Sequence, residues 1–264
     1  MTNAGGNTYT YDANGNLLTR RVSNKTITFT YDAEGHLLTA SGQNLTASFV
    51  YDGDGNRVKS TINGTTTTFV GNHYEVTGST ITKCYFAGAS RVAMRTCTGG
   101  TCSAPTYLLS DHLGSTSITT DANGIKVAEM RYKAWGEVRY TSGTTPTKYT
   151  YTGQYSNVAD FGLLYYGARW MDPSLGRFTS ADSIVPGGMQ GLDRYAYVNN
   201  SPVRYNDPSG HCFSGAGVDT LVCVGVGLGI LAIAGIVALQ ATPQGRDVRD
   251  NAVEAAIWGE VSPC

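Results

Sequence analysis

The chain has 264 residues, with 19 Lys+Arg against 20 Asp+Glu and a formal charge of −1. That balance gives no electrostatic drive toward nucleic acid, so no nucleic-acid partner is expected. Charged residues are only 15% of the chain while Gly numbers 33 and Tyr 17, which excludes the charge-rich, aromatic-poor composition of disorder and favours strands joined by tight turns.

The N-terminus, Met1-Thr-Asn-Ala-Gly-Gly, has neither a basic start nor an apolar run, so no signal peptide is expected. The reading is then a fragment of a longer secreted protein, or export by a route without such a signal. Tyr11-Asp-Ala-Asn-Gly15-Asn, Tyr31-Asp-Ala-Glu-Gly35-His and Tyr51-Asp-Gly-Asp-Gly55-Asn recur every twenty residues, with a degenerate copy at Phe69-Val-Gly-Asn. Between them, Thr26–Tyr31 and Leu45–Tyr51 alternate in the period of a half-buried strand. Twenty is even, so the same face returns in each copy: Tyr9 and Tyr11, Phe29 and Tyr31, Phe49 and Tyr51. Asp-x-x-Gly supplies a turn closed by a residue that tolerates positive φ. Each unit is a strand, a turn, a strand and a turn, and no unit can bury its apolar face without neighbours. Asp12, Asp32, Asp52 and Asp54 are read as turn residues. Asp52-Gly-Asp54-Gly-Asn56 begins like an EF-hand, but Asn63 stands where the twelfth-position Glu is needed, so no calcium is expected.

The six cysteines are Cys84, Cys97, Cys102, Cys212, Cys223 and Cys264. Cys97-Thr-Gly-Gly-Thr-Cys102 reads as a hairpin closed by a disulfide, in preference to half of a zinc site, which implies an oxidising compartment. Ser110, Asp111 and His112 offer hydrolase chemistry by residue type. Adjacent residues in one turn do not point at one another, however, and no G-x-S-x-G elbow exists. No P-loop or dinucleotide fingerprint is present, and neither cofactor nor metal is expected. Gly162–Phe178 reads as strand, turn, strand, with Tyr165, Tyr166 and Trp170 in packing roles. Asp172-Pro173 opens the turn, and Arg169 and Arg177 stack on rings or pair with Asp172 or Asp182.

Composition changes after Gly210. Leu221–Leu239 is nineteen residues without a charge, bounded by Asp219 and Arg246. As a helix it nearly spans a bilayer of roughly 30 Å, and it must be buried in protein, lipid or a partner. A membrane contact through 221–239 is therefore expected. Residues 246–260 read as a modest amphipathic helix, and Cys212 can pair with Cys264.

Tyr-Asp-x-x-Gly-Asn at this period resembles the YD repeat of the rearrangement-hotspot (RHS) family, which includes polymorphic toxins, toxin-complex C components and teneurins. Later segments follow the family in order: Asp111-His-Leu-Gly-Ser115, Tyr132-Lys-Ala-Trp-Gly136, Tyr151-Thr-Gly-Gln154, Gly162–Phe178, and Asn199-Asn-Ser-Pro202 leading to Asp207-Pro208-Ser209-Gly210. The likeness spans about residues 8–210. It implies a mainly β fold: YD-type hairpins forming a curved sheet or partial shell, with a short helical C-terminal tail. Its parts would be repeats in 1–75, the repeat-associated core in 76–210, and a variable tail in 211–264 carrying the apolar helix 221–239. It implies a secreted or cell-surface protein, membrane-anchored if 221–239 inserts, whose core encloses or presents its tail. The partners would be an upstream RHS shell or secretion-system components.

Several members of the family are aspartyl autoproteases that cut after the Asp-Pro-x-Gly motif. That implies catalytic carboxylates among Asp182, Asp207 and Asp193, Arg177 or Arg194 to orient one of them, and cleavage in the region Asp207-Pro208-Ser209-Gly210-His211. Two positions depart from cleaved members. Ser183 follows Asp182 where Pro is usual, and His211 stands where Leu is usual.

Overall fold

The computed structural model describes residues 2–184, 193–211 and 214–215. Sixteen strands between Asn3 and Gly143 form one open antiparallel sheet. Successive strands are neighbours throughout, except that Thr101–Cys102 folds back on Ser90–Thr98 and lies off the path. Cys97 and Cys102, opposite each other there, are joined as a disulfide, and Cys84 is a buried free thiol.

The period of twenty reappears as register. Tyr9 faces Arg20, Phe29 faces Ala40, and Phe49 faces Ser60. At the Asp end of each hairpin the backbone repeats one pattern. The Asp12 N–H donates to the Asn16 carbonyl (2.9 Å), and the Gly15 N–H donates to the Asp12 carbonyl (3.1 Å). Gly15 takes φ +88°, the left-handed conformation that closes a three-residue hairpin loop with a bulge. The same bonds recur at Asp32 and Asp52, then at Asp111, Asp121 and Lys133. In the Asp copies the carboxylate accepts a further N–H from the residue four along, at 2.8 Å for Asn16, His36 and Asn56. Lys133 shows that the backbone pattern survives without the carboxylate. The opposite hairpin ends are two-residue turns, Ser23-Asn24 and Asn63-Gly64, with positive φ at both positions as a type I′ turn requires.

These turns carry an acid sensitivity. Burial works to raise the Asp12 and Asp32 carboxyls, but hydrogen bonds from Asn16 and His36 outweigh it and hold both below the usual 3.8. At Asp52 the Asn56 backbone N–H leads the same lowering. A carboxyl depressed in the folded state contributes stability above its unfolded pKa and loses it as pH falls through the folded value. The urea midpoint is therefore expected to fall between pH 5 and pH 3. A variant with Asp12, Asp32 and Asp52 all changed to Asn should show a smaller fall, and an equal one would refute the assignment.

Alternation divides the sheet faces. Tyr9, Phe29 and Phe49 are buried, and Tyr11, Tyr31 and Tyr51 pack beside them. On the other face Thr10 and Thr19 share a hydroxyl bond of 2.6 Å, as do Thr30 and Thr39 twenty residues on. The buried face is covered by a second antiparallel sheet of Tyr155–Asn157, Leu163–Tyr165, Trp170–Asp172 and Arg177–Phe178. Phe161, Leu163 and Trp170 enter the same cluster as Phe29, Leu37 and Phe49, and the Trp170 ring centroid lies 5.1 Å from that of Phe49. Polar bonds fasten the layers: the Leu17 N–H to the Thr179 carbonyl (3.0 Å), and the Tyr195 hydroxyl to the Gly15 carbonyl (2.8 Å).

The large sheet passes residue 75 without a break, since Phe69 pairs with Glu75 and Thr67 with Thr77. The β expectation holds for the described residues up to 210. Among the described residues no helix is long and apolar enough to cross a membrane. The run Leu221–Leu239, the stretch 246–260 and the Cys212–Cys264 pairing lie outside the described residues.

Candidate functional site

The site forms where the second sheet meets the Asp207-Pro-Ser-Gly210 turn. Asp207 builds that turn as the repeat aspartates build theirs, its Oδ1 accepting the N–H groups of Gly210 (2.8 Å) and Ser209 (3.1 Å). Gly210 has φ +84°, and a Cβ on it would lie 2.6 Å from the Tyr166 carbonyl oxygen. Only glycine therefore fits between the motif and the strand below it. The Ala168 N–H donates to the Ser209 carbonyl (3.0 Å), which continues the clamp.

Arg169 is the hub. It is 5% exposed, with its guanidinium carbon 3.7 Å from the Phe178 ring centroid. Its Nε donates to the Gly210 carbonyl, and Nη1 donates to the Arg194 carbonyl (3.0 Å). Nη2 lies 2.7 Å from Asp182 Oδ2 and 4.0 Å from Asp207 Oδ2. Burial pulls the Arg169 guanidinium down to about 10, against the upward pull of Asp182 and Asp207, so it stays charged at neutral pH. His211, just past the motif, places Nδ1 2.7 Å from Asp182 Oδ1.

Asp182 and Asp207, named from sequence alone, thus converge on one guanidinium. Asp193 does not join them: it pairs with Arg177 at 2.7 Å, a partly exposed pair. Arg177 therefore orients neither Asp182 nor Asp207. Arg194 reaches Asp182 through the backbone, its Nε donating to the Asp182 carbonyl at 2.8 Å. The cation between the carboxylates is Arg169, which sequence reasoning placed only in a stacking or pairing role. Its neighbours Asp182 and Gly210 are 13 and 41 positions along the chain, and no local pattern signals the contact.

A cation set between two carboxylates changes their chemistry. The guanidinium faces both carboxylates and relieves the repulsion between them. The group is suited to hold a turn and to polarise the Gly210 carbonyl, on which Arg169 Nε is fixed.

Two arginines of the repeats also contact the second sheet. Arg20 stands where the next copies have Ala40 and Ser60. It forms a buried pair with Asp172, Nε to Oδ2 at 2.6 Å, while Asp172 also accepts the Ser174 N–H (2.8 Å) and hydroxyl (2.6 Å). Arg57 stands where earlier copies have Leu17 and Leu37. Its guanidinium lies over the rings of Tyr165 (4.2 Å), Phe69 (4.6 Å) and Tyr155 (4.6 Å). Departure from the period was the available signal for both.

Asp111 is a turn residue, its Oδ1 accepting the Leu113 and Ser115 N–H groups at 2.9 Å, and His112 Nε2 lies 3.0 Å from the Val203 carbonyl. Ser110, Asp111 and His112 form no triad. Asp32, Glu34 and His36 bring potential metal-ligand atoms within 4.8 Å of one another. The hydrogen bonds of the repeat turn, with His36 stacked on Tyr51, account for that grouping.

Residues 11–47, which contain the first two Tyr-Asp turns and the strands between them, match the family model described as RHS Repeat. The chain carries the RHS repeat. Among the relatives, the tRNA nuclease WapA of Bacillus subtilis (strain 168) is 38% identical over 97 residues, covering 35% of this chain and 4% of WapA. Toxin subunit YenC1 of Yersinia entomophaga is 29% identical over 109 residues, covering 39% of this chain and 11% of YenC1. The TcdB2-TccC3 crystal structure superposes with a TM-score of 0.60 at 19% identity, over 77% of this chain and 13% of that one; the likeness is one of fold. The RHS chain described here therefore spans a small fraction of the length of the relatives it matches.

Proposed function

We propose that this chain is the C-terminal core of an RHS-type secreted or cell-surface protein that encloses or presents its own variable tail. Residues 1–75 supply repeats, 76–210 the repeat-associated core, and 211–264 the tail. The observation that carries the reading is the fastening of the Asp207–Gly210 motif, which precedes the variable segment, by Arg169. The kinship with toxin subunits supports an upstream RHS shell or secretion-system components as partners. A membrane contact through 221–239 rests on the uncharged sequence of that run. Ending the chain after His211 should leave its near-ultraviolet circular dichroism and cooperative unfolding intact. Loss of the cooperative transition would make the tail part of the core and sink the reading.

A second reading is favoured by one observation: Asp182 and Asp207 converge on Arg169, which itself donates to the Gly210 carbonyl. It is a single-turnover self-cleavage that hydrolyses the bond after the motif and frees the tail. Intact mass separates the two. A 28.0 kDa species that persists at mildly acidic and neutral pH leaves the scaffold alone. A fragment ending near residues 210–212, abolished by Asp182→Asn or Asp207→Asn, establishes cleavage.

A further inference from the structure

We propose that the solvent face of the large sheet around Tyr85 and Tyr107 is a platform for an acidic glycan, whose sugar rings stack on the tyrosines while its carboxylates meet Lys83 and Arg95. The platform uses none of the residues around the Asp207–Gly210 motif and stands whether or not the tail is released.

Alternation assigns the faces. Cys84 is opposite Met94 and both are buried, so the next pair, Tyr85 and Ala93, faces solvent. On its other side Ala93 is opposite Tyr107. The three residues form one row across Thr80–Ala87, Ser90–Thr98 and Thr106–Ser110. Tyr85 and Tyr107 are 41% and 45% exposed, yet Ala93 between them is 6% exposed, because the flanking side chains cover its methyl. Their strands are two spacings apart, roughly 10 Å. Leu109 and Ile118, exposed and opposite each other, extend the apolar surface. The neighbouring row on this face is Tyr74, Lys83 and Arg95. Lys83 Nζ lies 6.0 Å from the Tyr74 ring centroid, and Arg95 is anchored by its Nε donating to the Ser103 carbonyl at 2.8 Å.

Charge is sorted by the same alternation. Residues 56–110 contain five basic side chains, Arg57, Lys59, Lys83, Arg91 and Arg95, and one acidic, Glu75. Glu75 is opposite Phe69 on the buried face, where Arg57 lies over Phe69 and Arg91 over Tyr149. Lys59, Lys83 and Arg95 remain on the solvent face with no carboxylate from this segment.

A pyranose presents a face of C–H groups that packs on an aromatic ring while its hydroxyls stay in water at the rim. A carboxylate on that sugar pairs with an ammonium or guanidinium. A surface that combines tyrosines with cations and carries no acid complements such a polymer. Single-stranded nucleic acid also stacks on aromatics, but it is held by a cationic groove that tracks its backbone. Here three cations are spread over an open face of five strands, from Arg57–Ile62 to Ser90–Thr98, and the chain as a whole carries −1.

The test is equilibrium binding of the full chain to three immobilised uronate polymers: alginate, polygalacturonate and hyaluronan. Neutral dextran and a thymidine oligonucleotide serve as comparisons. At least one uronate polymer is expected to bind at low salt, more weakly at high salt, with dextran bound at least ~10-fold less tightly. Tyr85→Ala with Tyr107→Ala should weaken binding about 10-fold or more, and Tyr85→Phe with Tyr107→Phe should keep it, since the rings remain. Lys83→Gln with Arg95→Gln should remove most of the salt dependence. Near-ultraviolet circular dichroism identical to wild type identifies variants whose fold is intact. Binding to none of the three polymers overturns the proposal, as does wild-type affinity in the folded double alanine variant. Equal binding to dextran removes the role of the cations, and tighter binding to the oligonucleotide gives the face to nucleic acid; either result overturns the assignment to an acidic glycan.

Discussion

Replacing Arg20 by Met is expected to cost about 3–5 kcal/mol, the usual consequence of stranding one member of a buried ion pair. The Asp172 side chain is fully buried and that of Arg20 is 11% exposed. Ser174 still donates to the abandoned carboxylate, but the guanidinium is its cationic partner. At the size of this chain such a loss lowers the melting temperature by about 10 °C. Changing both partners, Arg20→Met with Asp172→Leu, should recover most of it, because an apolar pair of similar volume removes the desolvated charge together with its partner. A single substitution costing less than about 1 kcal/mol in denaturant unfolding would show that the pair does not fasten repeat to core. Gly162 sets the tolerance of the test: its missing Cβ would lie 2.9 Å from the Arg20 guanidinium, so the arginine already fills its space.

Replacing Arg169 by Leu is expected to cost at least as much, about 3–5 kcal/mol, and to act locally as well. Asp182 and Asp207 are 7% and 3% exposed and would lose their common cation. The Gly210 and Arg194 carbonyls would lose their donors in the same change. Limited proteolysis should then cut within residues 207–211 far faster than in the wild type. A lysine at this position keeps the charge but presents one ammonium in place of a planar fork that reaches two carbonyls and two carboxylates. Arg169→Lys is therefore expected to recover less than half of the loss in thermal unfolding. Full recovery would reduce Arg169 to a point charge and remove the basis for its role at the Gly210 carbonyl.

The meander is legible in the order of amino acids alone. An even period sends Tyr9, Phe29 and Phe49 to one face, because side chains alternate along a strand. Asp-x-x-Gly specifies the bulged turn, because the carboxylate and the left-handed glycine act within five residues. Those are local causes, and they return with each copy. Convergence on Arg169 has no such local cause. Asp182 and Asp207 could be named from residue type and motif. The choice of Arg169 over Arg177 and Arg194 depends on how four short strands stack beneath the large sheet. Arg20 and Asp172 likewise meet across 152 positions of the chain, where no period runs. Short-range hydrogen bonds and alternation leave a pattern in the sequence, whereas a buried charge finds its partner through packing, which brings distant segments together without imposing any fixed spacing between them.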